Sequence, residues 1–221
     1  MKFSFLLLSV ILFEACNSPD ATKEKKSAAD SAQGVKPDSS KTTGNSDKDT
    51  AGSISSNPLM QRSDSILQTL KTKDFPKLAS FINPQWGLRF TPYANIDTNN
   101  SQQLSSSQLV ELGRSQKRIK WGLYDGSGKP INLSVDLYFD KFVYPKDFLN
   151  AEKKSINKSM GGGNSLDNLR DIYPDADYTE FYFSGFDPKY DGMDWQKLRL
   201  VFKTQDGHPY LIAIVHDQWT I

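Results

Sequence analysis

Residues 197–221 read KLRLVFKTQDGHPYLIAIVHDQWTI, and they carry the strongest fold signal in the chain. Asp206-Gly207 is a two-residue hairpin turn, because Asp and Gly accept the positive φ such a turn needs. Closing the hairpin there sets Gln205 opposite His208. The register then runs Phe202–Leu211, Leu200–Ala213 and Leu198–Val215. Strand side chains alternate between faces, so these six apolar residues would share one buried face. Asp217 and Trp219 would continue that core-facing row, opposite Gln196 and Asp194. Lys197, Arg199 and His216 would lie together on the other face.

Moving upstream, an acidic loop spans Asp187 to Asp194. Before it, Tyr178 to Ser184 reads as a strand with Thr179, Phe181 and Phe183 on one face and Tyr178, Glu180 and Tyr182 on the other. Ile119–Tyr124, Asp125-Gly126-Ser127-Gly128 and Pro130–Leu133 read as strand, turn, strand. Val135 to Tyr144 fits either a strand or a helix, and Ser134 as a cap with Pro145 as a stop favours the helix. Ser155 to Met160 is expected as a strand and Ser165 to Tyr173 as a short helix. Nearer the N-terminus, Asn57-Pro58 starts a helix carrying Leu59, Ser63, Ile66, Leu67 and Leu70. Asp74 starts a second, and Leu88 and Phe90 mark a short strand. Ser105 and Gln108 form a capping box, with Leu104 and Leu109 as its hydrophobic staple and Gly113 as a left-handed terminator. Helices first and strands last is an α+β order: N-terminal helices packed on a mostly antiparallel sheet ending in a long hairpin.

The remaining fifty-odd residues are of another kind. Residues 17–56 are Ser, Thr, Lys, Asp, Ala and Gly with almost no large apolar side chain, too little to offset backbone entropy on folding. They read as a disordered tether whose end-to-end distance would be roughly 35 Å. Met1-Lys2 followed by the apolar run Phe3–Phe13 has the form of a secretory signal and is too short to span a bilayer. Its end, Phe13-Glu14-Ala15-Cys16, resembles the lipobox of bacterial lipoproteins, although Phe13 and Glu14 depart from the usual residues. That resemblance implies a signal peptide over 1–16, acylation of Cys16, and a single domain over 57–221 held at the extracytoplasmic side of a bacterial membrane.

Composition narrows the partners. A formal net charge of +1 supplies no field for nucleic acid. One cysteine and two histidines offer neither a disulfide framework nor zinc-site spacing. No cofactor motif is present. Asp187, Asp191 and Asp194 could offer oxygens to calcium, but their spacing does not match an EF-hand loop, and no metal site is assigned. Gly161-Gly162-Gly163-Asn164-Ser165 lacks the lysine of a phosphate loop and reads as a turn.

Two further resemblances lie in the domain, one at its two ends and one across its length. "LKTKDFPKLASFINPQWGLRFTPY" at 70–93 and the closing hairpin are similar to the NTF2-like (SnoaL-like) superfamily. This implies helices on a strongly curved sheet, a cone enclosing a pocket. "WGLYDGSGKPI", "FVYPKDFLNA", "GFDPKYDGMDW" and the terminal "HDQWTI" resemble a group of uncharacterised bacterial lipoproteins, which implies location but no activity.

On a cone, Asp217 and Trp219 would point into the hollow, Asp217 as a general base or ligand anchor. Its neighbour His216 would face the other way, so the two would not form a dyad. The plainer alternative is a hydrogen-bonded Asp217 and a half-exposed His216. Arg89, Tyr93, Trp121, Tyr124, Glu180 and Tyr182 would line a pocket for a small polar ligand, or else form a packed sheet with an Arg89–Glu180 ion pair. Three functions follow: a tethered module binding a small polar ligand or envelope partner, a pocket enzyme using Asp217 or Glu180 as acid/base, or a structural envelope lipoprotein. Aromatics with polar tips and no catalytic constellation favour the first.

Overall fold

The computed structural model describes residues 54–161 and 166–220. The leader, Cys16 and the tether up to residue 53 lie outside the described residues, as do residues 162–165 and Ile221. Ile54, placed above in the tether, packs against the core.

Helix α1 (Pro58–Lys71) begins where Asn57 Oδ1 accepts the Leu59 N–H at 2.9 Å, and it buries Met60, Ser63, Ile66, Leu67 and Leu70. Helix α2 (Phe75–Ala79) is capped by Asp74 through the Lys77 N–H. Strands β1 (Leu88–Thr91) and β2 (Gln102–Leu104) precede α3 (Ser106–Gly113), whose capping box forms in both directions between Ser105 and Gln108. Gly113 is not the left-handed terminator expected. It lies inside the helix, and Arg114 caps it in the right-handed region. Its requirement is space, since a Cβ there would sit 2.2 Å from Phe75 Cδ2.

Strands β3 (Ile119–Leu123) and β4 (Pro130–Leu133) form a separate hairpin. The ambiguous segment is helical: one α turn, α4 (Val135–Tyr138), runs into a π turn over Phe139–Val143. Together they bury Val135, Tyr138, Phe139, Phe142 and Val143. Strand β5 is Lys153–Ile156, shorter and earlier than expected, because Asn157 takes φ 55° and ends it. Helix α5 spans only Leu169–Ile172. Strands β6 (Asp177–Phe183), β7 (Gln196–Gln205) and β8 (His208–Gln218) complete the chain.

The main sheet has six strands in the order β2-β1-β8-β7-β6-β5. It is mixed, since β1 runs parallel to β8 while the other pairs are antiparallel. The α+β class stands, but the NTF2-like cone does not: the sheet is open, with β2 and β5 as edges, and it is not strongly curled. The physical reason is that both faces are packed. On the helix face, Phe90, Trp121, Tyr138, Phe139, Phe142, Phe181 and Phe202 fill the space where a hollow was expected. Trp121 stacks on Tyr138 with ring centroids 4.1 Å apart, and its indole N–H donates to Leu133 O at 2.9 Å. On the opposite face, Tyr178, Val201, Ala213 and Val215 form a second apolar cluster with Ile96, Leu169 and Ala176. A sheet held between two cores has no free concave side to enclose a ligand.

Candidate functional site

One extra residue decides where the candidate groups point. The terminal hairpin follows the expected register at Gln205–His208 and Phe202–Leu211. It then slips: Val201 pairs with Ala213, Leu200 with Ile214, Leu198 with His216 and Lys197 with Asp217. Ile212 is the unpaired residue of a β-bulge, and a one-residue slip turns every later side chain to the other face. His216 is therefore with the helix-face core. Asp217 is opposite, beside Lys197. This reverses the expected placement of both.

His216 is fully buried, its ring 6.0 Å from that of Phe142. Its Nδ1 lies 3.1 Å from Pro92 O. A carbonyl only accepts, so Nδ1 carries the proton. Nε2 has no hydrogen-bond partner among the described residues. Burial lowers its pKa to about 4, only partly opposed by the bond to Pro92.

Asp217 is 1% exposed. Its Oδ2 is 3.2 Å from Lys197 Nζ, and its Oδ1 accepts the Ala94 N–H at 3.4 Å. Burial raises its pKa, against the pull of Lys197. Further along the same face, Arg199 Nε donates to Glu180 Oε2 at 2.5 Å, and its Nη2 reaches Asp167 Oδ2 at 2.6 Å and Ser159 Oγ at 2.8 Å. Burial works against the Arg199 charge, but Asp167 and Glu180 outweigh it and hold the guanidinium protonated. The Met160 N–H donates to Glu180 Oε1 at 2.5 Å. Both Glu180 oxygens are thus engaged, and its ionic partner is Arg199 rather than Arg89. The network ties strands β6 and β7 to Ser159, Met160 and Asp167.

The six residues expected to line one pocket are dispersed. Trp121 is core. Glu180 is in the ion network. Tyr182 is half-buried on the same face, packed against Gly161 and 6.4 Å from the Trp195 ring. Arg89 also turns to that face but bonds Thr98 O, Ser101 Oγ and Gln103 Oε1. Trp219 is 39% exposed beyond the end of β8. In the acidic loop, Asp194 and Asp187 accept the loop's own N–H groups. No group of three His, Cys, Asp or Glu among the described residues is placed to hold a metal ion.

Only Tyr93 and Tyr124 meet in a cavity. They line a cleft of about 450 Å³ between the segment after β1 and the β3–β4 turn. Thr91, Asn95, Asn100, Ser101 and Thr220 add hydroxyls and amides, and Asp97 and Asp125 add carboxylates. No lysine or arginine lines it among the described residues. Asp97 is held in its Asx turn, with its pKa lowered by the Asn100 amide. Thr220 Oγ1 donates to Asp125 Oδ2 at 2.5 Å and closes one wall. Burial raises the Tyr93 pKa, so its phenol is neutral. Thr91 is 2% exposed, and its Oγ1 has no hydrogen-bond partner among the described residues. Sequence reasoning passed over Thr91. Its only signal was the alternation with Phe90, which faces the core. Asn95, Asn100 and Ser101 had no signal at all.

Comparison with protein-family models, with curated proteins and with solved structures finds no match for this chain.

Proposed function

We propose that this chain is an extracytoplasmic binding module, tethered to a bacterial membrane through an acylated Cys16, that holds a small uncharged polar ligand in the Tyr93–Tyr124 cleft. The supporting observation is Thr91 Oγ1. Buried polar atoms in folded proteins are almost always hydrogen-bonded, and Thr91, whose buried hydroxyl has no partner among the described residues, is one of the residues that line this cleft. Two tyrosines bring apolar surface with polar tips, and the amides and hydroxyls around them suit a polyhydroxylated molecule such as a sugar. Lining carboxylates without lining cations disfavour an acidic ligand. The acid/base reading has less support, because Glu180 and Asp217 are both committed to cations inside the fold.

Thr91→Val tests the reading, since valine keeps the shape and removes only the hydroxyl. Calorimetric titration with neutral mono- and disaccharides is expected to show binding that Thr91→Val weakens by about tenfold. The stability of the variant should be unchanged or slightly raised, because no protein hydrogen bond is lost. Absence of binding by every neutral sugar, or equal binding by Thr91→Val, would overturn the proposal. The tether is tested separately. Cys16→Ser is expected to move the protein from the membrane to the soluble fraction on cell fractionation, and retention at the membrane would contradict acylation.

A further inference from the structure

A second cavity lies further along the same sheet face and has the opposite charge character. About 250 Å³ is lined by Trp86, Arg89, Gln103, Tyr173, Lys203 and Ile212, with no carboxylate among the described residues of its lining. Neither Arg89 nor Lys203 forms an ion pair among the described residues. Arg89 donates to uncharged acceptors, Thr98 O at 3.3 Å, Ser101 Oγ at 2.8 Å and Gln103 Oε1 at 2.5 Å, and it also bonds the Tyr173 hydroxyl. Lys203 Nζ stands 4.7 Å over the Trp86 ring, whose edge packs against Tyr210. The floor is Ile212, the bulge residue, so the irregularity that sorts His216 and Asp217 also shapes this cavity.

From this geometry we propose that the cavity binds a small organic monoanion, a carboxylate on a compact apolar or aromatic body. Arg89 and Lys203 take the carboxylate, and Trp86, Tyr173 and Ile212 take the body. A guanidinium satisfied only by neutral oxygens gains a stronger, charge-assisted bond when a carboxylate arrives. The charge is limited to one. The trough that continues past Tyr173 and Lys203 is lined by Asp175 and Asp177, which would repel a second negative group at the far end of the ligand.

Benzoate is the probe, with benzyl alcohol as its uncharged counterpart and phthalate as the dianion. Ligand-observed NMR on the full chain with millimolar benzoate is expected to show saturable binding, with benzyl alcohol and phthalate each weaker by about tenfold or more. Lys203 is exposed, so Lys203→Glu should leave the fold intact and abolish benzoate binding, while Lys203→Arg retains it. Arg89→Gln should weaken benzoate binding by about tenfold as well. Thr91→Val should leave it unchanged, which keeps this site separable from the cleft. No benzoate binding, equal binding of benzyl alcohol, or indifference to Lys203→Glu would each overturn the proposal.

Discussion

Arg199→Met is expected to destabilise the folded domain by about 3–5 kcal/mol, the cost of leaving a buried charge without its partner. Glu180 is 0% exposed, and after the substitution it would keep only the Met160 N–H. Asp167 and Ser159 would lose their shared donor in the same step. A domain of this size has a total stability of about 5–15 kcal/mol, so the loss would be plain in a urea titration. The double variant Glu180→Gln/Arg199→Met removes both charges and should recover a substantial part of it, because the penalty belongs to the unpaired ion and not to the missing bond. A loss under about 1 kcal/mol in the single variant, the range of solvent-exposed pairs, would mean that water reaches Glu180.

The second large effect is a pH dependence. An unfolded His216 titrates near its ordinary value of about 6.5, whereas burial brings the folded one to about 4. Between those values the unfolded chain binds the extra proton. The stabilisation is therefore complete above about 6.5 and is lost as the pH falls toward 4, by on the order of 3 kcal/mol. Asp217 acts in the opposite sense at the acid end, because burial raises its pKa and lets the folded state take a proton first. The quantity to read is therefore the difference in slope between the parent protein and His216→Gln, from denaturant unfolding at a series of pH values. Parallel slopes for the two would show that His216 does not resist protonation in the fold.

How much of this was legible in the sequence follows from which signals are local. Asn57, Asp74 and the Ser105–Gln108 pair cap their helices as their spacing predicts, because a cap involves three or four consecutive residues. Asp206-Gly207 sits at φ 52° and 74° and closes the hairpin as expected. The bulge at Ile212 has no such signature. Leu211, Ile212, Ala213, Ile214 and Val215 are all apolar, so slipping these five by one residue leaves an apolar row on each face. Only the packing of both sheet faces chooses between the registers, and that choice carried His216 and Asp217 to the sides opposite those expected. The NTF2-like expectation failed for a related reason. The aromatics assigned to a pocket wall are large enough to fill it, and Trp121 stacked on Tyr138 does so. The parallel β1–β8 pair could not be read at all, because it joins segments more than a hundred residues apart. Of the candidate site, Tyr93 and Tyr124 were legible as polar-tipped aromatics. Thr91 was not, because its importance lies in an absent partner, and sequence does not display that.

The sorting of His216, Asp217 and Ile212 rests on the bulge in the last strand, and the His216 imidazole reports on it. Carbon-detected or long-range proton–nitrogen NMR of the ring across the acid range measures it directly. The structure predicts a ring that is Nδ1-protonated and mostly neutral at pH 5 and reaches half-protonation only at about 4. A ring that titrates near its ordinary 6.5, with no preference for the Nδ1–H form, would contradict the buried His216–Pro92 contact and with it the register that places Ile212 at the second cavity.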